Sequence, residues 1–291
     1  MKKQGLLPFV SAMVLFGTLG LFVRYLPFAS SFTAMVRGLL GAGFLSLVLF
    51  FRQKPNLSAI GKDLLPLVVS GVMIGFNWIC LFEAYRYTTV ATATLCYYFA
   101  PVLVLLLSPL FLKEKLSKKN AICILVALLG MIPVSGVFSH GVGHKDMTGV
   151  AFGLAAAGMY AGVVLTNKTF RHVSATDRTV VQLFVAGLCL VPYVLLTKAL
   201  PTETPTALQV VVLLTVALLH TGVAYLMYFG GLARLSAQKA ALLSYLDPAV
   251  AVLLSAVVLG ETFTWQTALG AVMILGATIV SELQPRKGSA V

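Results

Sequence analysis

Apolar residues in this chain come as long runs separated by short polar turns, without the alternation of a strand or the narrow stripe of a soluble amphipathic helix. Ten runs of about 20 residues can be placed, the length a helix needs to cross the hydrocarbon core of a bilayer. They fall at Leu6–Tyr25, Ala29–Phe51, Leu64–Tyr85, Ala91–Leu112, Asn120–Phe138, Gly149–Lys168, Thr179–Thr197, Leu208–Ala233, Ala237–Gly260 and Trp265–Leu283. The linkers carry Pro, Ser, Asn or charge, and none is long enough for a soluble domain. The pattern predicts an all-α polytopic membrane protein with ten transmembrane helices.

One stretch occurs twice. CYYFAPVLVLLLSPLFLKE, from Cys96 to Glu114, is echoed by LSYLDPAVAVLLSAVVLGE, from Leu243 to Glu261. Tyr98, Pro101, Ser108 and Glu114 return as Tyr245, Pro248, Ser255 and Glu261, each 147 positions on. The same offset aligns Gly75 with Gly222, Phe82 with Phe229 and Ala121 with Ala268. The fourth predicted helix thus pairs with the ninth, and the repeating unit is five helices. Because five is odd, the second copy lies upside down relative to the first. The expected organisation is one repeat over residues 1–138, an external linker over 139–148, and an inverted repeat over 149–284. Such a duplication marks alternating-access transporters, whose substrate site lies near the midplane between the repeats.

Charge orients the chain. The net charge is +12, yet only 10% of residues are charged against 59% hydrophobic. With the N-terminus in the cytoplasm, 16 Lys and Arg fall on the cytoplasmic side, and only Arg24, Arg86, Lys145 and Lys198 fall on the other. The excess of cations inside places both termini in the cytoplasm. The loop KEKLSKK after the fourth helix is cytoplasmic, while its echo GETFTWQ is external and holds no lysine. No basic stretch exceeds a short loop, which argues against a nucleic-acid partner. The N-terminal run is too long for a signal peptide and lacks a cleavage site, so it is a first spanning helix. Cys80, Cys96, Cys123 and Cys189 all lie in apolar runs without metal or redox spacing.

Ionisable groups inside a span are costly and by default face a partner or a wet cavity. Arg37, His220 and Asp247 lie in the second, eighth and ninth helices. Arg37 is suited to a substrate carboxylate, and His220 and Asp247 are candidates for proton exchange. The structural alternatives are a buried Arg37–Asp247 ion pair, or Asp247 capping donors freed by a kink. Pro101 and Pro248 predict matching kinks in the fourth and ninth helices. Tyr98 and Tyr245 lie three residues earlier, on nearly the same face. Asn77, Trp78, Tyr160 and Tyr225 are further candidates for a cavity wall, with Phe76, Tyr97 and Tyr228 nearby. Trp78 and Tyr225 are repeat equivalents in mid-span, which an interfacial aromatic belt does not explain. Glu83 and Arg86 read as an interfacial ion pair. Gly149, Gly153, Ala157 and Ala161 recur at spacing four, allowing close helix approach. His140 and His144 stand in a glycine-containing loop, so no metal is expected. No nucleophile, paired-carboxylate or phosphate-loop pattern is present, and the chain is read as no enzyme, without cofactor.

These residues resemble the drug/metabolite transporter superfamily, specifically the EamA-type exporters. The resemblance rests on VRGLLGAGFL around Arg37, PVLVLLLSPLFLKEKLS, PAVAVLLSAVVLGETFTWQTALG and AYLMYFGGLARLSAQKAALLSYLDP, and it covers nearly the whole chain. It implies export of small metabolites, often amino acids or relatives, through a central cavity formed by both halves, with the fifth and tenth helices outside. The family's cations at the ends of helices one and six match Arg24 and Lys168, which on the residues alone would snorkel to the headgroups. Its helix-two arginine matches Arg37, while the seventh helix offers Gln182 instead. The expected function is a secondary transporter in the inner or plasma membrane, exporting amino acids or related compounds by alternating access. Its partners are a small-molecule substrate and the bilayer. A transporter of phosphorylated or nucleotide-linked sugars is the alternative, though it would want several mid-span cations. A membrane-embedded enzyme lacks a candidate constellation.

Overall fold

The computed structural model describes residues 3–52, 55–88, 90–115, 117–135, 146–259 and 265–282, and every regular element among them is helical. Helices α1 (Lys3–Val23) and α2 (Ser30–Arg52) are followed by a short exposed helix, α3 (Leu57–Lys62), and by α4 (Leu64–Tyr87). Then come α5 (Val90–Tyr97), α6 (Ala100–Leu112), α7 (Lys118–Ser135), α8 (Asp146–Asn167) and α9 (Ala175–Leu196). Helix α10 (Ala207–Thr215) passes through a π-helical segment, Val216–Val223, into α11 (Ala224–Leu232). Helices α12 (Ala237–Leu243), α13 (Leu246–Leu259) and α14 (Trp265–Glu282) end the order. Among the described residues, seven helical segments are long and apolar enough to cross a membrane. Residues 139–145 of the linker with His140 and His144, the helix ends at Phe138, Gly260 and Leu283, and Glu261 lie outside the described residues. So do the cations Lys2, Lys54, Lys145, Arg286 and Lys287.

Local sequence starts several of these helices. Asn56, Ser174, Thr206 and Ser236 each accept from the backbone N–H three residues on. Each bond satisfies a first-turn donor that has no intrahelical partner. Thr206 and Gln209 complete the reciprocal capping box that opens α10. Lys113, at φ 56°, ends α6 in the left-handed conformation usually left to glycine.

Helix α4 lies along α8 and α9, α2 along α9 and the π segment, and α1 along α11 and α13. Helices α5 and α6 pack on α8, and α6 also meets α12. Helices α7 and α14 pair with each other and reach the rest through α5, α6, α12 and α13. In lipid, packing quality between helices matters more than apolarity, so small residues decide how near they come. A Cβ on Gly231 would fall 2.7 Å from the Phe9 Cβ and 2.8 Å from the Gly5 carbonyl oxygen. Of the small residues along α8, Gly149, Gly153 and Gly162 abut Thr88, Cys96 and Met73, whereas Gly158 faces open space.

One end of the bundle is laced by polar contacts. Buried Arg178 donates to the carbonyls of Asn167 at 3.0 Å and Phe229 at 2.8 Å. The Lys168 ammonium donates to the carbonyls of Leu232 and Leu235. Lys168 is therefore turned inward rather than snorkelling, because α11 ends there with carbonyls that need a donor. Glu114 accepts from the Ala237 N–H at 3.0 Å, and Gln238 donates to the Lys115 carbonyl at 2.9 Å. Asp63 accepts from the N–H groups of His172 at 3.2 Å and Val173 at 3.1 Å.

Burial opposes the Asp63 charge, but the His172 and Val173 donors outweigh it and hold the carboxyl below its ordinary 3.8. A lowered folded value means that the stabilisation is present above the ordinary value and is lost as pH falls through the folded one. Asp63→Asn should therefore lower stability at neutral pH by about 1 kcal/mol. The reading is a reduced thermal midpoint in detergent, with the gap to wild type closing in acid. Equal midpoints at neutral pH would show that the carboxylate contributes nothing.

Candidate functional site

At the kinks expected before Pro101 and Pro248 the regular α-helical hydrogen bonding is interrupted for two residues. Helix α5 ends at Tyr97 and α6 begins at Ala100, while α12 ends at Leu243 and α13 begins at Leu246. Both prolines thus sit in the first turn of a new helix, where a missing N–H costs nothing. Breaks inside a bilayer leave backbone groups that need partners within the protein. In an unbroken helix the Val102 N–H would reach Tyr98; here it bonds the Phe99 carbonyl at 3.0 Å. The Tyr98 carbonyl accepts instead from the Tyr245 hydroxyl at 2.9 Å. The Tyr98 hydroxyl in turn donates to Asp247 at 3.3 Å. The duplicated tyrosines thus tie the two broken segments to each other.

Beside the breaks lies a cavity of about 430 Å³, within the range of small-molecule sites. Its lining descends from exposed Gly20 and Ser30 to buried Met13, Trp78 and Tyr228. Arg37, Asn77, Trp78, Tyr98, Pro101, Tyr160, Tyr225 and Asp247 all line it. None of the lining comes from α7, α9 or α14. Among the described residues of the lining, Arg37 is the one cation and Asp247 the one anion. Among the described residues neither forms an ion pair, which overturns the alternative of a buried Arg37–Asp247 bridge. The Arg37 guanidinium lies 4.8 Å from the Trp78 ring centroid, a cation–π contact. Its Nε has no hydrogen-bond partner among the described residues, and neither has the buried Thr33 hydroxyl one turn before it. Asn77 donates to the Ala156 carbonyl at 2.7 Å, which fixes it against α8. The Tyr160 hydroxyl meets that of Tyr228 at 2.7 Å and Ser244 at 3.3 Å.

Three expected site residues stand elsewhere. Tyr245 is fully buried behind the wall, with its hydroxyl on the Tyr98 carbonyl. Pro248 is buried in α13 beside the wall-lining Asp247. His220 belongs to the π segment, with Nε2 2.9 Å from the Thr18 hydroxyl and its ring 4.7 Å from that of Phe22. Glu83 accepts from Arg86 at 2.8 Å and also from the Tyr193 hydroxyl, outside the lining. Sequence reasoning passed over Thr33, Tyr85, Thr94 and Ser244, all on the wall. Serine and threonine hydroxyls can bond their own helix and a tyrosine near a helix end fits an interfacial belt, so their presence in an apolar run carries no signal of a cavity.

The model of the EamA-like transporter family matches residues 3–136 and again 147–282. The chain belongs to this family. An uncharacterized transporter of Bacillus subtilis, YxxF, is 30% identical over 291 residues, covering 99% of this chain and 92% of that protein. Protein PecM of Dickeya dadantii is 30% identical over 230 residues, 76% of each. A solved crystal structure at 19% identity has the same fold, with a TM-score of 0.85 over 96% of this chain and 97% of that one. The protein is a multi-pass membrane transporter and not an enzyme.

Gly20 tests whether this cavity is the path in the EamA-like protein. A Cβ there would meet nothing within 4 Å, so a side chain can leave the backbone without a clash. Replacing glycine within a helix also favours folding, by up to about 1 kcal/mol. Gly20→Leu should fold as well as wild type and slow transport on the order of tenfold, equivalent to about 1.4 kcal/mol. Flux measured at matched protein levels in vesicles gives the answer. Wild-type flux through the leucine variant would place the path elsewhere.

Proposed function

We propose that the protein exports small amphipathic metabolites, amino acids or related compounds, from the cytoplasm by alternating access between two inverted five-helix repeats. The observation that carries this reading is one cavity holding unpaired opposite charges, reached from the Gly20 and Ser30 end while the other end is laced shut. Two repeats are supported by the two matches of the family model. Leaving out the short α3 and counting α5–α6, α10–α11 and α12–α13 as one span each makes ten among the described residues. The packing agrees, since exchanging the halves turns the pair α4 and α8 into α11 and α1, and the pair α4 and α9 into the π segment and α2. The same exchange turns α6 and α8 into α13 and α1. The lysine asymmetry supports cytoplasmic termini in the inner or plasma membrane.

A single lining cation set against a carboxylate disfavours the phosphorylated-sugar alternative, because a multiply charged anion would meet Asp247 as well as Arg37. Of the two candidates for proton exchange, Asp247 faces the cavity, whereas His220 stands behind the wall against α1. This supports Asp247, rather than His220, as the group that meets both substrate and proton.

Overexpression should confer resistance to some toxic amino-acid analogues and speed release of the matching amino acid from loaded cells. No change across a broad metabolite panel would count against export. For the substrate so found, Asp247→Asn should flatten the pH profile of transport. A retained profile would remove Asp247 from coupling.

A further inference from the structure

We infer that Arg178 and Lys168 are positioning residues that decide which end of the transporter stands open at rest, by tying α8 and α9 to the end of α11 where the open end has no such tie. This rests on the two-repeat transport reading above.

Two helix contacts align the open end with the laced one. A Cβ on Gly41 would fall 3.2 Å from the Gly222 nitrogen, and one on Gly75 would fall 3.4 Å from the Ala186 Cα. The contact of α2 with the π segment is thus repeated by that of α9 with α4. Gly222 stands 147 positions after Gly75, and Ala186 stands 145 after Gly41. The second step takes the cavity-lining Thr33, Ala34 and Arg37 of α2 to Arg178, Thr179 and Gln182 of α9. The first takes the lining Phe82 and Tyr85 of α4 to Phe229 and Leu232 of α11.

At the open end these faces enclose the cavity. At the laced end they are bonded together. The Arg178 guanidinium donates to the Phe229 carbonyl at 2.8 Å, and the Lys168 ammonium to the Leu232 carbonyl at 3.1 Å and to that of Leu235. The other Arg178 bond, to the Asn167 carbonyl, pins the guanidinium to the end of α8. Cations favour the C-terminal end of a helix, where carbonyls run out of backbone partners. The equivalents at the open end make no such tie. The Thr33 hydroxyl has no partner among the described residues. Arg24, the equivalent of Lys168, is exposed, with its guanidinium 5.9 Å from the Tyr25 ring centroid. The Asp63 bonds to His172 and Val173 join α4 to the loop between α8 and α9, so they stay within one group of packed helices. The Phe229, Leu232 and Leu235 bonds leave that group for α11, which packs along α1.

The laced end also buries polar atoms that it does not satisfy. Asn167 Oδ1, Gln182 Oε1 and Arg178 Nε have no partner among the described residues. The side-chain amides of Asn167 and Gln182 share the Ser70 hydroxyl, at 3.3 and 2.8 Å. Burying such atoms is costly, and entry of water relieves the cost. The bonds made by the two cations offset it, and so hold closed a face that is otherwise ready to open.

The test uses the full-length protein in lipid nanodiscs, where a thiol reagent reaches both ends. Cys80, Cys96, Cys123 and Cys189 are first replaced by alanine. One reporter is then added, either Val23→Cys on the open wall or Thr179→Cys at the laced end. The reagent should label the first readily and the second slowly. Arg178→Gln or Lys168→Met should speed labelling at position 179 by about tenfold, the population shift expected when charge-assisted bonds to one state are lost. Each should slow labelling at position 23. Arg178→Lys, which keeps a cation, should restore part of the protection. A merely structural role would make both reporters faster together as the bundle loosens, or change neither, and either pattern would overturn the inference. Lys168→Met carries the test should Arg178→Gln fail to fold. If the reporters do not trade accessibility while the release panel finds an exported solute, this inference falls and the transport reading survives. If they trade accessibility while the panel finds nothing, the latch stands and the export reading falls.

Discussion

A helix interrupted in the middle of a bilayer frees backbone groups where no lipid can bond them. This chain interrupts two, and a side chain from one answers for a backbone carbonyl of the other. The Tyr245 hydroxyl satisfies the Tyr98 carbonyl, and the Tyr98 hydroxyl reaches Asp247 at the start of the partner segment. The repeated tyrosine and proline are the two halves of this exchange: the proline opens the new helix without wasting a donor, and the tyrosine crosses the gap. The cavity wall depends on it, since Tyr98, Pro101, Ser244 and Asp247 all come from the breaks or their first turns.

The same region sets the electrostatics. Where the echoed stretch has Ala100 in one copy it has Asp247 in the other, so a matching sequence carries an asymmetry of charge. Arg37 enters from α2, a helix that does not pair with the breaks, and is held by the Trp78 ring rather than by a carboxylate. Charges in a low-dielectric interior interact strongly, and these two form no ion pair with each other among the described residues. The polar groups at the other end do the opposite. Arg178, Lys168, Glu114 and Gln238 spend their hydrogen bonds on helix ends and seal the bundle there. One molecule thus presents an end where side chains bond helix-end carbonyls and amides, and a cavity whose Arg37 and Asp247 form no ion pair among the described residues.

Much of this was legible in the chain. Runs of spanning length and the 147-residue echo follow from the bilayer's thickness and from duplication, both of which leave marks in the order of residues. Arg37 and Asp247 stood out because an ionised group in an apolar run is rare and expensive. The same rule drew attention to His220, which lies behind the wall bonded to Thr18. Rarity marks a residue as costly but does not say which face of the helix it occupies. The π segment around it had no signature, since one extra residue per turn changes the face and not the composition.

The sequence by itself determined the helical class, the apolar spans, the duplicated segment and the family, because each depends on composition or order along one chain. Tertiary structure alone decided which of the marked residues meet. That Tyr98 faces the cavity and its equivalent Tyr245 does not, that Lys168 turns inward, and that Arg37 and Asp247 share a space without touching all depend on helix rotation and approach. Those are set by contacts between residues more than a hundred positions apart, such as Gly75 against Cys189 and Gly231 against Phe9. No local pattern records them, because the partners that fix each rotation lie in the other half of the chain.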